Sequence, residues 1–201
     1  ALGGLIILLG VLAVLAIPLI AAFYGVMEPL WLRRFARGLA AKGELLDDWH
    51  PLPLEKTRRL RAQRAGNEIE LTLRSSTYKT YRGRTNESTT IVWRAHVREA
   101  LFGFAITPAP TTRRLQRLFG GAEHLVDGRY VLEHGSLPAE DERGELLPAL
   151  ATVFDAGYTR LAFVDDRLTI EKSPIKEGDL TPSRLSAVYE ALCTLAVLCS
   201  R

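Results

Sequence analysis

The sequence predicts an α+β chain: an N-terminal transmembrane helix, then an antiparallel sheet covered by helices, ending in a long C-terminal helix. Three observations predict it. Residues 1–27 carry no charge, apolar alternation with a period of two begins after Asn67, and apolar residues at helical spacing follow Thr181-Pro182. Strands and helices do not alternate regularly along the 201 residues, which argues against a doubly wound parallel sheet.

Residues 5–22 are almost wholly Leu, Ile, Val and Ala. About 20 apolar residues rising 1.5 Å each cross a hydrocarbon core of about 30 Å, so this run is long enough to span a bilayer. Pro18 would break a helix in water, but a spanning helix accommodates it with a bend. A cleavable secretory signal would need a basic start and a shorter apolar region, and this run shows neither. Residues 1–27 are therefore read as an anchor and the lipid bilayer as a partner.

Residues 28–66 are expected to form an amphipathic helix and a basic connector. Trp31, Phe35 and Leu39 recur every four residues with arginines between them, and Gly43 ends the pattern. Trp31, Arg33, Arg34 and Arg37 are the candidate membrane-surface residues. Pro51, Pro53 and the run from Lys56 to Arg64 read as a linker with room for a short helix. Residues 28–64 hold nine basic and five acidic side chains, whereas residues 65–201 hold seventeen and eighteen. Basic residues just after a span favour the cytoplasmic side, so the N-terminus is expected outside and the domain in the cytoplasm.

Residues 67–201 are expected to be one water-soluble α+β domain. Ile69, Leu71 and Leu73 mark a first strand; Ile91, Trp93, Ala95 and Val97 a second; Phe102, Phe104 and Ile106 a third, together a meander with residues 75–88 as a long polar turn. A short helix follows Pro108 and Pro110, carrying Leu115, Leu118 and Phe119 and stopping at Gly120-Gly121. Asp127-Gly128 turns the chain into a fourth strand, 129–134. Leu146, Leu147, Leu150, Val153 and Phe154 mark a helix closed by Gly157. Leu161 and Phe163, then Leu168 and Ile170, flank the Asp165-Asp166 turn as a hairpin. Leu185, Val188, Tyr189, Leu192 and Leu195 carry the final helix behind a capping Thr181 and Pro182.

No catalytic residue, cofactor site or metal site emerges. G-x-S-x-G, G-x-x-x-x-G-K-[ST] and G-x-G-x-x-G are all missing from the sequence. Asp47-Asp48-Trp49-His50 supplies acid/base and ligand groups but reads as a membrane-proximal hinge with Trp49 against the surface, and Glu123, His124, Asp127 and His134, at no recognised ligand spacing, read as surface polar residues around a turn. Cys193 and Cys199 lie outside C-x-x-C spacing and read as buried, reduced thiols. The nearly neutral residues 65–201 exclude a strongly basic nucleic-acid binder. Tyr78, Tyr81, Arg82 and Arg84 form the candidate interface, since exposed aromatics and arginines are favoured there.

The stretch G-A-E-H-L-V-D-G-R-Y-V-L-E-H at 121–134, together with the apolar spacing of 147–164 and 168–198, resembles the C-terminal part of uncharacterised bacterial membrane-anchored proteins with a small α+β domain. The resemblance implies a bacterial origin and carries no active site. The expected function is a membrane-tethered, non-enzymatic binding or scaffold module of a bacterial envelope assembly with a protein partner. The alternative is an enzyme or small-ligand sensor whose site is scattered through the fold.

Overall fold

In the computed structural model the described residues are 30–49, 57–79, 85–97, 103–109, 125–137, 143–175 and 179–200. Among them, nine strands form one antiparallel sheet and three helices pack on one of its faces. The chain is thus α+β, with an antiparallel sheet and a C-terminal helix. The expected anchor and the short helix after Pro110 lie outside the described residues. Among those described, no helix is long and apolar enough to cross a membrane.

Helix α1 (Leu30–Ala41) leads into strands β1 (Leu45–Trp49), β2 (Thr57–Arg64), β3 (Asn67–Lys79), β4 (Thr85–His96) and β5 (Phe104–Pro108). Strands β6 (Leu125–Val126) and β7 (Tyr130–Gly135) precede α2 (Arg143–Asp155), β8 (Leu161–Val164), β9 (Arg167–Lys172) and α3 (Pro182–Cys199). Across the sheet the order is β1-β2-β3-β4-β9-β8-β5-β7-β6.

Because strand side chains alternate between faces, the register shows how the apolar face is assembled. Leu60 pairs with Leu71, Leu71 with Trp93, Trp93 with Ile170, and Ile170 with Leu161. Leu161 pairs in turn with Ile106. The result is a continuous apolar row through six strands, and all six side chains are buried. At its centre the Trp93 indole N–H donates to the Tyr158 hydroxyl at 2.7 Å, which satisfies a polar handle that burial would otherwise leave costly.

Three expectations about the sheet are corrected. The connector supplies β1 and β2: only Leu60 and Ala62 of β2 are buried, and two apolar residues among four arginines are too few to show a period of two. A two-residue turn at Ala65 and Gly66, both at positive φ, then sends β2 back as β3. The core therefore extends well before residue 67. Strand β4 pairs with β9 and not with β5, so the three successive strands are no meander. The Asp165-Asp166 hairpin presents Leu168 and Ile170 to Ala95 and Trp93, an apolar match that brings distant sequence into the gap. Finally, the long polar turn is mostly strand, since β3 runs to Lys79 and β4 starts at Thr85. Its serines and threonines satisfy a backbone ladder without producing an apolar alternation.

Helix α1 also differs from its expected role as an amphipathic extension. Leu32, Phe35, Ala36 and Leu39 are buried in the domain core, and the Phe35 ring meets Trp93 and Tyr189 edge-on at 5.9 and 6.2 Å. Its apolar stripe is spent on the sheet and on α3, leaving arginines outside. Helix α3 is buried on most sides, as a helix between a sheet and two other helices must be. Thr181 caps it by accepting from the Arg184 backbone N–H, with Pro182 in the first turn.

Candidate functional site

A polar cluster forms where α1 ends against α3 and the β2–β3 turn. Gly43 adopts positive φ, which ends α1 and lets Glu44 N–H donate to the Leu39 carbonyl at 3.0 Å. The Glu44 carbonyl then accepts from Gln63 N–H at 2.8 Å, setting its side chain beside Arg64. Glu44 Oε1 lies 3.6 Å from Arg64 Nε, Arg64 donates to Glu190, and Lys42 Nζ donates to Glu190 Oε1 at 2.9 Å. Next to them a groove of about 200 Å³ is lined by Arg64, Glu145, Glu190, Cys193 and Thr194 among others.

Electrostatics define what this cluster can do. Burial works against the Glu190 carboxylate, but hydrogen bonds from Lys42 and Arg64 outweigh it and hold the group below its ordinary range. Burial pushes the Cys193 thiol up to about 11, with only partial relief from Tyr189 and Arg64, and pushes Cys199 up to about 12. Both cysteines are free and buried. At neutral pH they are thiols, poor nucleophiles and poor metal ligands. Burial likewise raises Tyr189, so its phenol keeps its proton. The buried Tyr189 hydroxyl makes no close hydrogen bond of good geometry among the described residues, but it lies near enough to Glu44 and Cys193 for both to add to its rise. The cluster ties α1, the β2–β3 turn and α3 together and offers a small polar recess, without an activated nucleophile or base.

A pH dependence follows from Glu190. Its lowered pKa means that it stabilises the fold above the ordinary carboxyl value of 4.5, and that this contribution is lost as pH falls through the lower folded value. Glu68, held down chiefly by its hydrogen bond from Arg61, acts in the same direction. Glu190→Gln is expected to melt a few degrees below the parent at neutral pH. In thermal scans the gap should close as pH falls through the lowered folded value, because the parent carboxyl is then protonated too.

The opposite face of the sheet is polar. Glu70 accepts from Arg94 at 3.2 Å and from Thr72 at 2.9 Å and lies 3.5 Å from Arg59, while Arg61 donates to Glu68 at 2.6 Å. The Arg–Glu pairs cross between strands with their arginines exposed to solvent, and each contributes little. A wide depression of about 490 Å³ on this face is lined by Arg94, Ala162, Val164, Asp165, Arg167 and Thr169.

The structure separates the candidates read from sequence. Trp31 is half-buried against the core, Arg33 is half-buried, and Arg34 and Arg37 are exposed on α1. Tyr78 lies in β3, while Tyr81, Arg82 and Arg84 lie outside the described residues. Asp48 accepts from Arg58 at 3.0 Å and Asp47 is exposed, whereas His50 is outside the described residues. Asp127 sits in a turn at positive φ and His134 is exposed in β7; Glu123 and His124 are outside the described residues. Among the described residues no three His, Cys, Asp or Glu side chains gather closely enough to hold a metal ion. Sequence reasoning missed the union of Glu44, Arg64, Glu190 and Cys193, which are separated by up to about 150 residues and share no motif.

No family model, no curated protein and no solved structure matches the chain, so these comparisons carry no activity or partner over to it.

Proposed function

We propose that the chain is a single-pass, membrane-tethered binding or scaffold module of a bacterial envelope assembly, with its α+β domain on the cytoplasmic side and a protein as its partner. One observation carries the reading. An uncharged stretch of residues 1–27 stops two residues before α1, and α1 is locked into the core by Leu32, Phe35, Ala36 and Leu39. A bilayer-spanning segment in that position would hold the whole domain at a short, fixed distance from the membrane instead of on a flexible leash. Such mounting suits a component that presents a surface to a neighbour in the same membrane. The polar recess beside Arg64, with its protonated thiol and phenol, supports a binding role over nucleophilic catalysis.

The cytoplasmic placement rests on the basic excess of residues 28–64. A reporter enzyme active only outside the cytoplasm, fused after Arg201, is expected to be silent, and a cytoplasmic reporter at the same point active. The opposite pair of results would reverse the orientation. Solubilisation of the full chain from native membranes in mild detergent, followed by affinity capture, tests the scaffold reading. A stoichiometric membrane partner is expected, and recovery of the chain alone would count against it.

A further inference from the structure

We propose that the depression on the polar face of the sheet is a binding site for a small oxyanion, a carboxylate or phosphate group held between the guanidinium groups of Arg94 and Arg167. It does not rest on the anchored reading above. The register builds the site. Arg94 of β4 lies opposite Thr169 of β9, Thr169 opposite Ala162 of β8, and Ala162 opposite Ala105 of β5. One residue along, the other face carries the buried row of Trp93, Ile170 and Leu161, so Arg94, Thr169 and Ala162 stand on the face turned away from the three helices. Over β2 and β3 that face carries the long side chains of Arg59, Arg61, Glu68 and Glu70. From Thr169 onward the row is small, and the surface drops into the depression of about 490 Å³. That volume lies within the range of about 300–1,000 Å³ for small-ligand sites.

Two cations converge on it. Toward the Asp165-Asp166 turn, the next row on this face is His96, Arg167 and Val164. Arg94 and Arg167 are therefore diagonal neighbours on adjacent strands, about 7–8 Å apart at the backbone and within reach of a shared ligand through their long side chains. Arg94 gives one N–H to Glu70 at 3.2 Å, and its side chain remains 44 % exposed. A guanidinium has five donors, so most of them are left for a ligand. Arg167 is exposed and has no ion-pair partner among the described residues. Like charges so placed repel, and an oxyanion between them removes the repulsion while accepting paired N–H bonds. The hairpin that carries Arg167 is fastened to the end of β4, since Val97 N–H donates to the Asp166 carbonyl at 3.0 Å. The two arginines are thus held in place before a ligand arrives, which lowers the cost of binding it.

The surroundings favour a small ligand over a macromolecule. Asp165 lines the same depression, and Glu171 stands two residues beyond Thr169 on this face, so a polyanion meets two carboxylates that a single oxyanion avoids. Among the described residues Val164, 48 % exposed, is the one large apolar side chain exposed at the site. A protein interface gathers several such anchors, whereas Val164 and Ala162 are enough for the short carbon frame of an organic acid or a phosphate ester. The Thr169 hydroxyl adds a group that donates to the oxyanion or accepts from a hydroxyl on the ligand.

The test is calorimetric titration of the full chain in a non-ionic detergent with inorganic phosphate and, separately, with succinate, at constant ionic strength made up with chloride. Saturable binding of at least one is expected. Arg167→Ala should weaken it about tenfold or more, as the loss of a charged hydrogen-bond donor does. Ala162→Leu, which fills the floor and leaves every charge in place, should weaken it as well, while Arg59→Ala, elsewhere on the same face, should bind as the parent does. Without ligand, Arg167→Ala should melt within about two degrees of the parent, because the side chain is exposed. Binding of phosphate alone would assign the site to phosphate esters, of succinate alone to organic acids, and of both to either class. Binding of neither above chloride, or binding that survives both Arg167→Ala and Ala162→Leu, would overturn the site.

Discussion

Replacing Phe35 by alanine is expected to lower the stability of the domain by about 3–5 kcal/mol, the range for deleting a buried aromatic side chain. The ring is 3 % exposed and touches both Trp93 and Tyr189, so its removal leaves a cavity at the junction of α1, the sheet and α3. Against a total of about 5–15 kcal/mol this is a large fraction. Denaturant titration of the full chain in mild detergent, followed by tryptophan emission, measures it. Trp93 is the neighbour of the lost ring, so its emission should also shift to the red in the folded variant. Arg34→Ala on the exposed side of α1 should change stability by less than about 0.5 kcal/mol. If Phe35→Ala left the midpoint unchanged, α1 would not belong to the core and would be free to lie on the membrane.

Leu192→Ala should cost about 2–5 kcal/mol by the same titration, because Leu192 is wholly enclosed at the centre of α3. Helix α3 is buried on several sides, so the surroundings have no solvent-facing direction from which to relax into the gap. Paired with Phe35→Ala, the double variant should lose more or less than the sum, since Phe35 touches Tyr189, which lies three residues before Leu192 on α3, and sites within reach of one another couple. Simple additivity of the two losses would place them in independent parts of the core.

The final helix, the Asp165-Asp166 hairpin and the helix around Leu150 were legible because each signal is local. Capping at Thr181, positive φ at two turn residues and apolar spacing within a dozen residues act over a few bonds. The candidate site was not legible in the same way. Glu44, Arg64 and Glu190 acquire meaning only when a helix end, a strand end and a second helix converge, and no spacing in the chain encodes that meeting. The outer parts of β3, to Lys79, and of β4, from Thr85, were hidden for a different reason: serine and threonine join a backbone ladder yet leave no apolar pattern to read.

By itself the sequence determined that the chain is α+β, that a charge-free stretch precedes it, and that the C-terminal helix buries an apolar surface, since these depend on composition and on local periodicity. Only the tertiary structure decided that α1 belongs to the domain and that β9 separates β4 from β5. An amphipathic helix presents the same stripe to a bilayer or to a protein core, and an edge strand presents the same backbone groups to any partner. The choice is made by which surfaces fit, and here Trp93, facing both Phe35 and Ile170, fits α1 on one side and β9 on the other.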